Sequence, residues 1–220
     1  MPAKLKPVKP ALLERAAKLD PALHAAFPDA VCSLTFANPL QLLIATILSA
    51  QCTDVRVNLV TPALFARYKT AADFADADPD ELEALVQSTG FYRNKAKSIR
   101  EACKDIAVLH KGVVPRTLDE LFALHGVGRK TANVVLGNAF NIPGMVVDTH
   151  VGRIARRLSL TKNADPVKVE HDLMRLFPPA RWTTLGHEMI QLGRRFCKAP
   201  MPKCTGCPIL PLCPYSMKVL

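Results

Sequence analysis

Lys130, Asp148 and four cysteines near the C-terminal end are the residues of this chain whose type and spacing could do chemistry. Lys130 follows Gly126-Val127-Gly128 in the stretch LHGVGRKTANVV. Leu121–Leu124 reads as the apolar end of a short helix, the glycines as a tight hairpin, and Arg129-Lys130-Thr131 as the opening of a second helix. Glycine serves where the backbone takes positive φ or where a ligand presses against it. A helix start offers N–H groups without intrahelical partners and the positive end of the macrodipole. That combination suits phosphate and is blind to base sequence. The same dipole opposes a lysine cation in the first turn and favours the neutral, nucleophilic amine. Asp148, eighteen residues on and just before another helix, could supply a partner carboxylate. The plainer alternative is a connecting turn with a solvated lysine.

Cys197, Cys204, Cys207 and Cys213 are spaced C-x6-C-x2-C-x5-C, with five prolines or glycines between them. So short a segment has no core of its own, so a ligated metal would supply its cross-links. Four thiolates suit tetrahedral zinc or a [4Fe–4S] cluster. Zinc sites with two knuckles show two CxxC pairs. Here one pair is flanked by single cysteines, a pattern that leans towards four separate iron corners. Two disulfides are the remaining alternative, disfavoured in a reducing cytoplasm. Arg194, Arg195, Lys198 and Lys203 crowd the segment, where they could offset thiolate charge or meet DNA phosphates. Cys32, Cys52 and Cys103 lie among apolar residues and read as core.

The rest of the chain must position these groups. Its 220 residues carry 29 Lys and Arg against 19 Asp and Glu, a net charge of +10, which favours a polyanionic partner. The longest apolar run, Pro39–Ala50, is too short to span a bilayer. The first residues lack an apolar signal region, so a cytoplasmic protein is expected. Residues 1–9 read as a basic arm, followed by an amphipathic helix over Ala11–Leu19 that Pro21 breaks. Asn38-Pro39 opens a helix, apolar nearly all round, that runs to about Ser49 and belongs at the centre of a domain. Asp54 is expected to cap the next helix, Thr61-Pro62 to start another, and Thr70 and Asp78-Pro79 two more. Phe91–His110 reads as a long amphipathic helix with Arg93, Lys95, Lys97, Arg100 and Lys104 on it. Helices over Thr149–Leu158, Pro166–Phe177 and Pro179–Phe196 follow the hairpin. No strand pattern stands out, and the fold class is all-α with roughly ten helices.

Together, LSAQCTD, the LHGVGRKTANVV hairpin, VDTH and the four-cysteine spacing resemble the endonuclease III family, helix-hairpin-helix DNA glycosylases with an iron–sulfur cluster. The similarity runs from about Leu12 to Cys213 in the family's order. It implies two helical lobes with a DNA cleft between them. One is a six-helix bundle over residues 31–141 holding the hairpin. The other, residues 1–30 plus 142–220, holds a [4Fe–4S] cluster on Cys197, Cys204, Cys207 and Cys213. The resemblance further implies a base excision repair enzyme, a bifunctional DNA glycosylase and abasic-site lyase acting as a monomer on oxidised pyrimidines in double-stranded DNA. Lys130 would be the nucleophile that forms a Schiff base, and Asp148 the carboxylate beside it. Gln51 would fill the gap left by the flipped nucleotide and Phe91 would wedge between base steps. His125, Gly126, Val127, Gly128 and Arg129 would meet the DNA backbone, and His150 would order the loop around Asp148. Phe91 stands where the family commonly has leucine, and His125 where its hairpin has proline. The adenine-excising branch of the superfamily is opposed by Lys130, where that branch has a serine-like residue. It is opposed also by Thr46, where that branch carries a catalytic glutamate, and by a chain that ends seven residues after Cys213. A non-enzymatic DNA-binding protein is the rival from another class, and a membrane-surface protein is weaker still.

Overall fold

The computed structural model describes residues 7–219. Most of the expected basic arm, residues 1–6, lies outside the described residues. Among the described residues the chain is all-α, with eleven α-helices, three short 3-10 turns and no strand. None of these helices is long and apolar enough to cross a membrane. Two compact units form, Cys32–Ile142 and Met1–Val31 with Pro143–Leu220.

The Cys32–Ile142 unit begins after α1 (Pro10–Ala26), which belongs to the other unit. Its helices are α2 (Pro39–Leu48), α3 (Asp54–Arg67), α4 (Ala71–Ala75), α5 (Pro79–Val86), α6 (Tyr92–Leu109), α7 (Leu118–Ala123) and α8 (Arg129–Ala139). Most begin on a side-chain cap: Asn38 accepts from the Gln41 amide, Asp78 from Glu81, Thr117 from Glu120, and Thr70 with Asp73 makes a full capping box. Each such cap stabilises its helix by about 1 kcal/mol. Helix α2 is buried continuously from Leu42 to Leu48 and packs on α3, α6 and α8, so its C-terminal end is held from several sides.

The local signals misplace some boundaries. Thr53, not Asp54, caps α3, and Pro62 lies inside that helix instead of starting a new one. Pro21 likewise lies inside α1. Both prolines face solvent, while Leu19 and Leu23 flank Pro21 fully buried and Thr61 and Leu64 are buried beside Pro62. A proline within a helix costs about 3 kcal/mol. Burial of Leu19 and Leu23 contributes about 1.5–3 kcal/mol each and offsets that cost at Pro21, and the fully buried Val57 and Leu64 do the same for Pro62. Helix α6 starts at Tyr92, because Phe91 has left-handed backbone.

The second unit is built from α1, α9 (Thr149–Arg157), α10 (Pro166–Met174) and α11 (Trp182–Arg195), followed by the cysteine segment. Leu19, Leu23, Val151, Ile154, Leu185 and Met189 lie in its core. Helix α1 is closed onto α11 by a partly buried ionic chain. Glu188 is 1% exposed, accepts from Arg181 Nη2 at 2.6 Å and pairs with His24 Nδ1 at 2.9 Å, while Arg181 Nε donates to Asp20 at 2.8 Å.

Candidate functional site

The turn between α7 and α8 is tied down from inside its own unit. Val127 N–H donates to the Leu124 carbonyl at 3.1 Å, and His125 N–H donates to the Asp105 carboxylate of α6 at 3.2 Å. Gly126 has φ +71°, and a Cβ there would lie 2.6 Å from both Cβ and Oγ of Ser98, so it needs glycine on two counts. Val127 is buried at 4% exposure, which leaves its side chain in the core and only its backbone for a partner. Gly128 differs. It is the N-cap of α8 at φ −83° with no side-chain cap, and an added Cβ would meet nothing within 4 Å. Nothing within the fold demands glycine there. The side chain of Lys130 is exposed in the first turn of α8, Arg129 is half-buried, and the Lys130 charge reaches the Cys32 thiol.

Gln51 and Phe91 are both non-glycine residues in left-handed backbone, at φ 52° and 49°. Each such residue costs about 1–2 kcal/mol. Both are exposed, Phe91 at 63%. They line one notch together with Thr46, Asn94, Lys95 and Gly126. Lys95, one of the basic residues read on the Phe91–His110 helix, is only 5% exposed and donates to two backbone carbonyls.

Lys130 belongs to the Cys32–Ile142 unit and Asp148 to the other. Asp148 is the N-cap of α9: Oδ1 accepts from Val151 N–H at 2.8 Å, and Oδ2 lies 3.1 Å from His150 Nδ1. Both carboxylate oxygens are thus oriented. Gly193 of α11 backs this arrangement, since a Cβ there would come within 2.9 Å of the His150 ring.

All four cysteines of the C-terminal segment line a single cavity, with Arg157, Lys203 and Tyr215 in its wall. None of the chain's seven cysteines is disulfide-bonded. The Cys207 thiol is pushed above its ordinary value by burial, opposed by a backbone hydrogen bond at Ile209 and helped by the charges of Cys213, Cys197 and Cys204. The four sulfurs therefore feel one another. Among the described residues no three or more His, Cys, Asp or Glu side chains converge as ligands of a single ion. The cations near this segment divide their work. Arg157 Nη1 reaches Cys197 Sγ at 3.3 Å and the Lys198 carbonyl at 2.8 Å, and Arg153 Nε reaches the Cys197 carbonyl at 3.1 Å. Arg194 and Lys198 line a separate shallow pocket with Thr149, His150 and Arg153, and Arg195 stacks over Phe27. The α9 arginines are the contacts that sequence reasoning missed. Their i, i+4 spacing on the helix after VDTH was the available signal.

Comparison with known proteins gives a consistent set of relatives. The family described as HhH-GPD superfamily base excision DNA repair protein matches residues 44–179. Endonuclease III of Synechocystis sp. is 51% identical over 204 residues, covering 92% of this chain and 93% of the relative. That of Bacillus subtilis is 47% identical over 193 residues, covering 87% and 88%. Two solved structures are 44% identical and cover 92% of this chain and 95% of theirs. They are a non-covalent endonuclease III–DNA complex, at TM-score 0.87, and a trapped endonuclease III–DNA covalent intermediate in an estranged-adenine complex, at 0.88. A thermostable thymine-DNA glycosylase, 20% identical at TM-score 0.84, shares the fold.

Proposed function

The chain belongs to the endonuclease III family, and on that premise we propose that it is a bifunctional DNA glycosylase and abasic-site lyase of base excision repair. Its substrate is an oxidised pyrimidine in double-stranded DNA, acted on by a single chain. The observation that carries this reading is Lys130, a solvent-exposed amine in the first turn of a helix without a side-chain cap, two residues after a glycine whose Cβ side is open. The relative trapped as a covalent intermediate with DNA supports the same route.

The neutral Lys130 Nζ attacks C1′ of the flipped nucleotide, and the base leaves with the electron pair of the glycosidic bond and takes the proton that Nζ gives up. The C1′–O4′ bond then breaks, its pair going to the ring oxygen, which takes a proton from water and leaves C1′ as an iminium. That cation acidifies the C2′ protons. Water takes one of them, and β-elimination then breaks the C3′–O bond, whose electron pair leaves with the oxygen and releases the downstream strand with a 5′ phosphate. Asp148, oriented by Val151 and His150, stabilises the positive charge that develops on the sugar. Flipping the nucleotide costs a few kcal/mol. Gln51 fills the vacated space and hydrogen-bonds the orphaned base, while Phe91 wedges between base steps. His125, Gly126, Val127, Gly128 and Arg129 hold the phosphates through the hairpin and the α8 N-terminus.

Cys197, Cys204, Cys207 and Cys213 would hold a [4Fe–4S] cluster. The fit rests on four unpaired thiols around one cavity wall, with the Arg157 guanidinium against Cys197 to offset thiolate charge. When bound, the cluster supplies cross-links to a segment without a core of its own. A reducing cytoplasm keeps those thiols available.

The test is borohydride trapping on a duplex with one thymine glycol, wild type beside Lys130→Ala. A covalent band with wild type alone is expected. Strand nicking by wild type without any trapped band would overturn the lysine mechanism. Binding with neither nicking nor trapping, across several lesions, would favour a docking protein.

A further inference from the structure

The Lys95 side chain joins two places that are distant in sequence. Its ammonium donates to the Leu48 carbonyl at 2.8 Å and to the Thr89 carbonyl at 2.8 Å. Leu48 ends α2, three residues before Gln51, and Thr89 stands two residues before Phe91. The Lys95 amide meanwhile donates to the Phe91 carbonyl at 3.1 Å, so the Phe91 corner is held by both side chain and backbone of one residue. Terminal carbonyls of a helix lack intrahelical donors, and a buried cation can satisfy two of them at once. Gln51 and Phe91, with φ of 52° and 49°, would relax from left-handed backbone if nothing fixed the carbonyls beside them.

We propose that Lys95 is a positioning residue, a brace between the α2 end and the turn before α6 that sets the spacing of Gln51 and Phe91 for joint insertion into the duplex. The inference rests on the proposed roles of those two residues. Burial holds the Lys95 amine below its ordinary pKa, with the Cys52 sulfur opposing that shift. A buried amine of this kind could be mistaken for a second nucleophile. Its hydrogen bonds to two carbonyls and its 5% exposure exclude attack on a sugar, and they explain why this fold carries a lysine in a buried position. A methionine of similar length would fill the same volume and leave both carbonyls without a donor.

The experiment is a coupling cycle. Lys95→Met is made in the wild-type chain and in a Gln51→Ala/Phe91→Ala chain, and each protein is titrated with a tetrahydrofuran abasic-analogue duplex and with undamaged duplex. In the wild-type background Lys95→Met is expected to weaken lesion-duplex binding about tenfold and undamaged-duplex binding less than about twofold. With both wedge residues removed, its effect on the lesion duplex should shrink to less than about twofold. Equal losses in the two backgrounds, or on the two duplexes, overturn the brace. Lys95→Gln, a shorter donor, runs through the same cycle and is expected to fall between, so the reasoning stays refutable if the methionine variant does not fold. A DNA-free arm separates this inference from the enzyme reading. Amide exchange in residues 49–53 and 89–92 should rise together in Lys95→Met, and a rise in one segment or neither sinks the brace whatever the DNA results. A wild type that shows no preference for the lesion duplex overturns the glycosylase reading instead.

Discussion

The two glycines of the hairpin should fail in opposite ways when given a methyl group. At Gly126, φ is +71° and the new Cβ would lie 2.6 Å from Ser98 Cβ, an atom fixed to the α6 backbone that cannot rotate aside. The left-handed conformation costs alanine about 1–2 kcal/mol. Forcing the hairpin off α6 costs about 1–3 kcal/mol more. Gly126→Ala should therefore lose about 2–5 kcal/mol. Ser98→Gly removes both clashing atoms and leaves Ser98 Cα at 3.5 Å, an ordinary contact, at a helix cost of about 0.5–1 kcal/mol. The double variant should lose only about 1.5–3 kcal/mol, less than the sum of the single losses by the steric part, about 1–3 kcal/mol. Urea unfolding followed by far-ultraviolet circular dichroism measures all four proteins. Additive losses, or a Gly126→Ala variant as stable as wild type, would refute the argument that Ser98 and the left-handed turn dictate this glycine.

Gly128→Ala supplies the contrast. Its φ of −83° suits alanine and its Cβ meets nothing, so stability should stay within about 1 kcal/mol of wild type. Duplex affinity should nevertheless fall about tenfold or more, because the methyl stands where a phosphate must approach the α8 N-terminus. A Gly128→Ala chain that binds duplex as wild type does would remove this face from the DNA contact.

Asp148→Asn keeps an oxygen for the Val151 amide, so stability should change by less than about 0.5 kcal/mol while borohydride trapping drops; Asp148→Ala should lose the cap as well, about 1 kcal/mol. If Asn traps as well as wild type, the carboxylate charge is not needed. Glu188→Ala leaves Arg181 partly buried with only Asp20 opposite and should lose about 3–5 kcal/mol in denaturant unfolding, a loss below about 1 kcal/mol counting against the closure of α1 onto α11. Burial, helped by the Arg194 charge, holds His187 below its ordinary value of 6.5. Its folded state thus prefers the neutral ring, so its contribution is complete above that value and is lost as pH falls below it. Stability measured from about pH 7.5 down to about pH 5 should decline less steeply in His187→Gln than in wild type, and parallel profiles would contradict this.

What a local signal controls was legible in the sequence. Asn38, Thr70 and Asp78 announce helix starts because a cap needs only the next three residues, and the all-round apolar run over 39–48 announces a central helix because burial requires it. Pro21 and Pro62 misled for the converse reason. A helix-starting proline and a tolerated interior one share the same local pattern, and the core on either side decides between them. Lys95 could not be told from Arg93 and Lys97 beside it, since its carbonyl partners lie 47 and 6 residues away. Asp148 as an N-cap was readable from Asp148-Thr149, whereas the room that Gly193 leaves for His150 joins α11 to α9 and has no signature along the chain.

Of the four non-glycine residues with left-handed backbone in the Cys32–Ile142 unit, Lys111 and Asn141 follow the C-caps of α6 and α8, while Gln51 and Phe91 form the proposed wedge. Two left-handed corners cost about 2–4 kcal/mol together. The fully buried Leu42, Leu43, Ile44 and Leu48 of α2 alone contribute about 6–12 kcal/mol, so the helix that delivers Gln51 can hold the first corner without help from DNA. The second corner is fixed by Thr89, itself buried and bonded to the Val86 carbonyl, and by Lys95. Both side chains are then poised before a duplex arrives, and inserting them requires no reordering of the backbone. A wedge ordered only on binding would add its own conformational cost to the few kcal/mol needed to flip a nucleotide. Strain stored at Gln51 and Phe91 in the free protein keeps that cost out of the binding step.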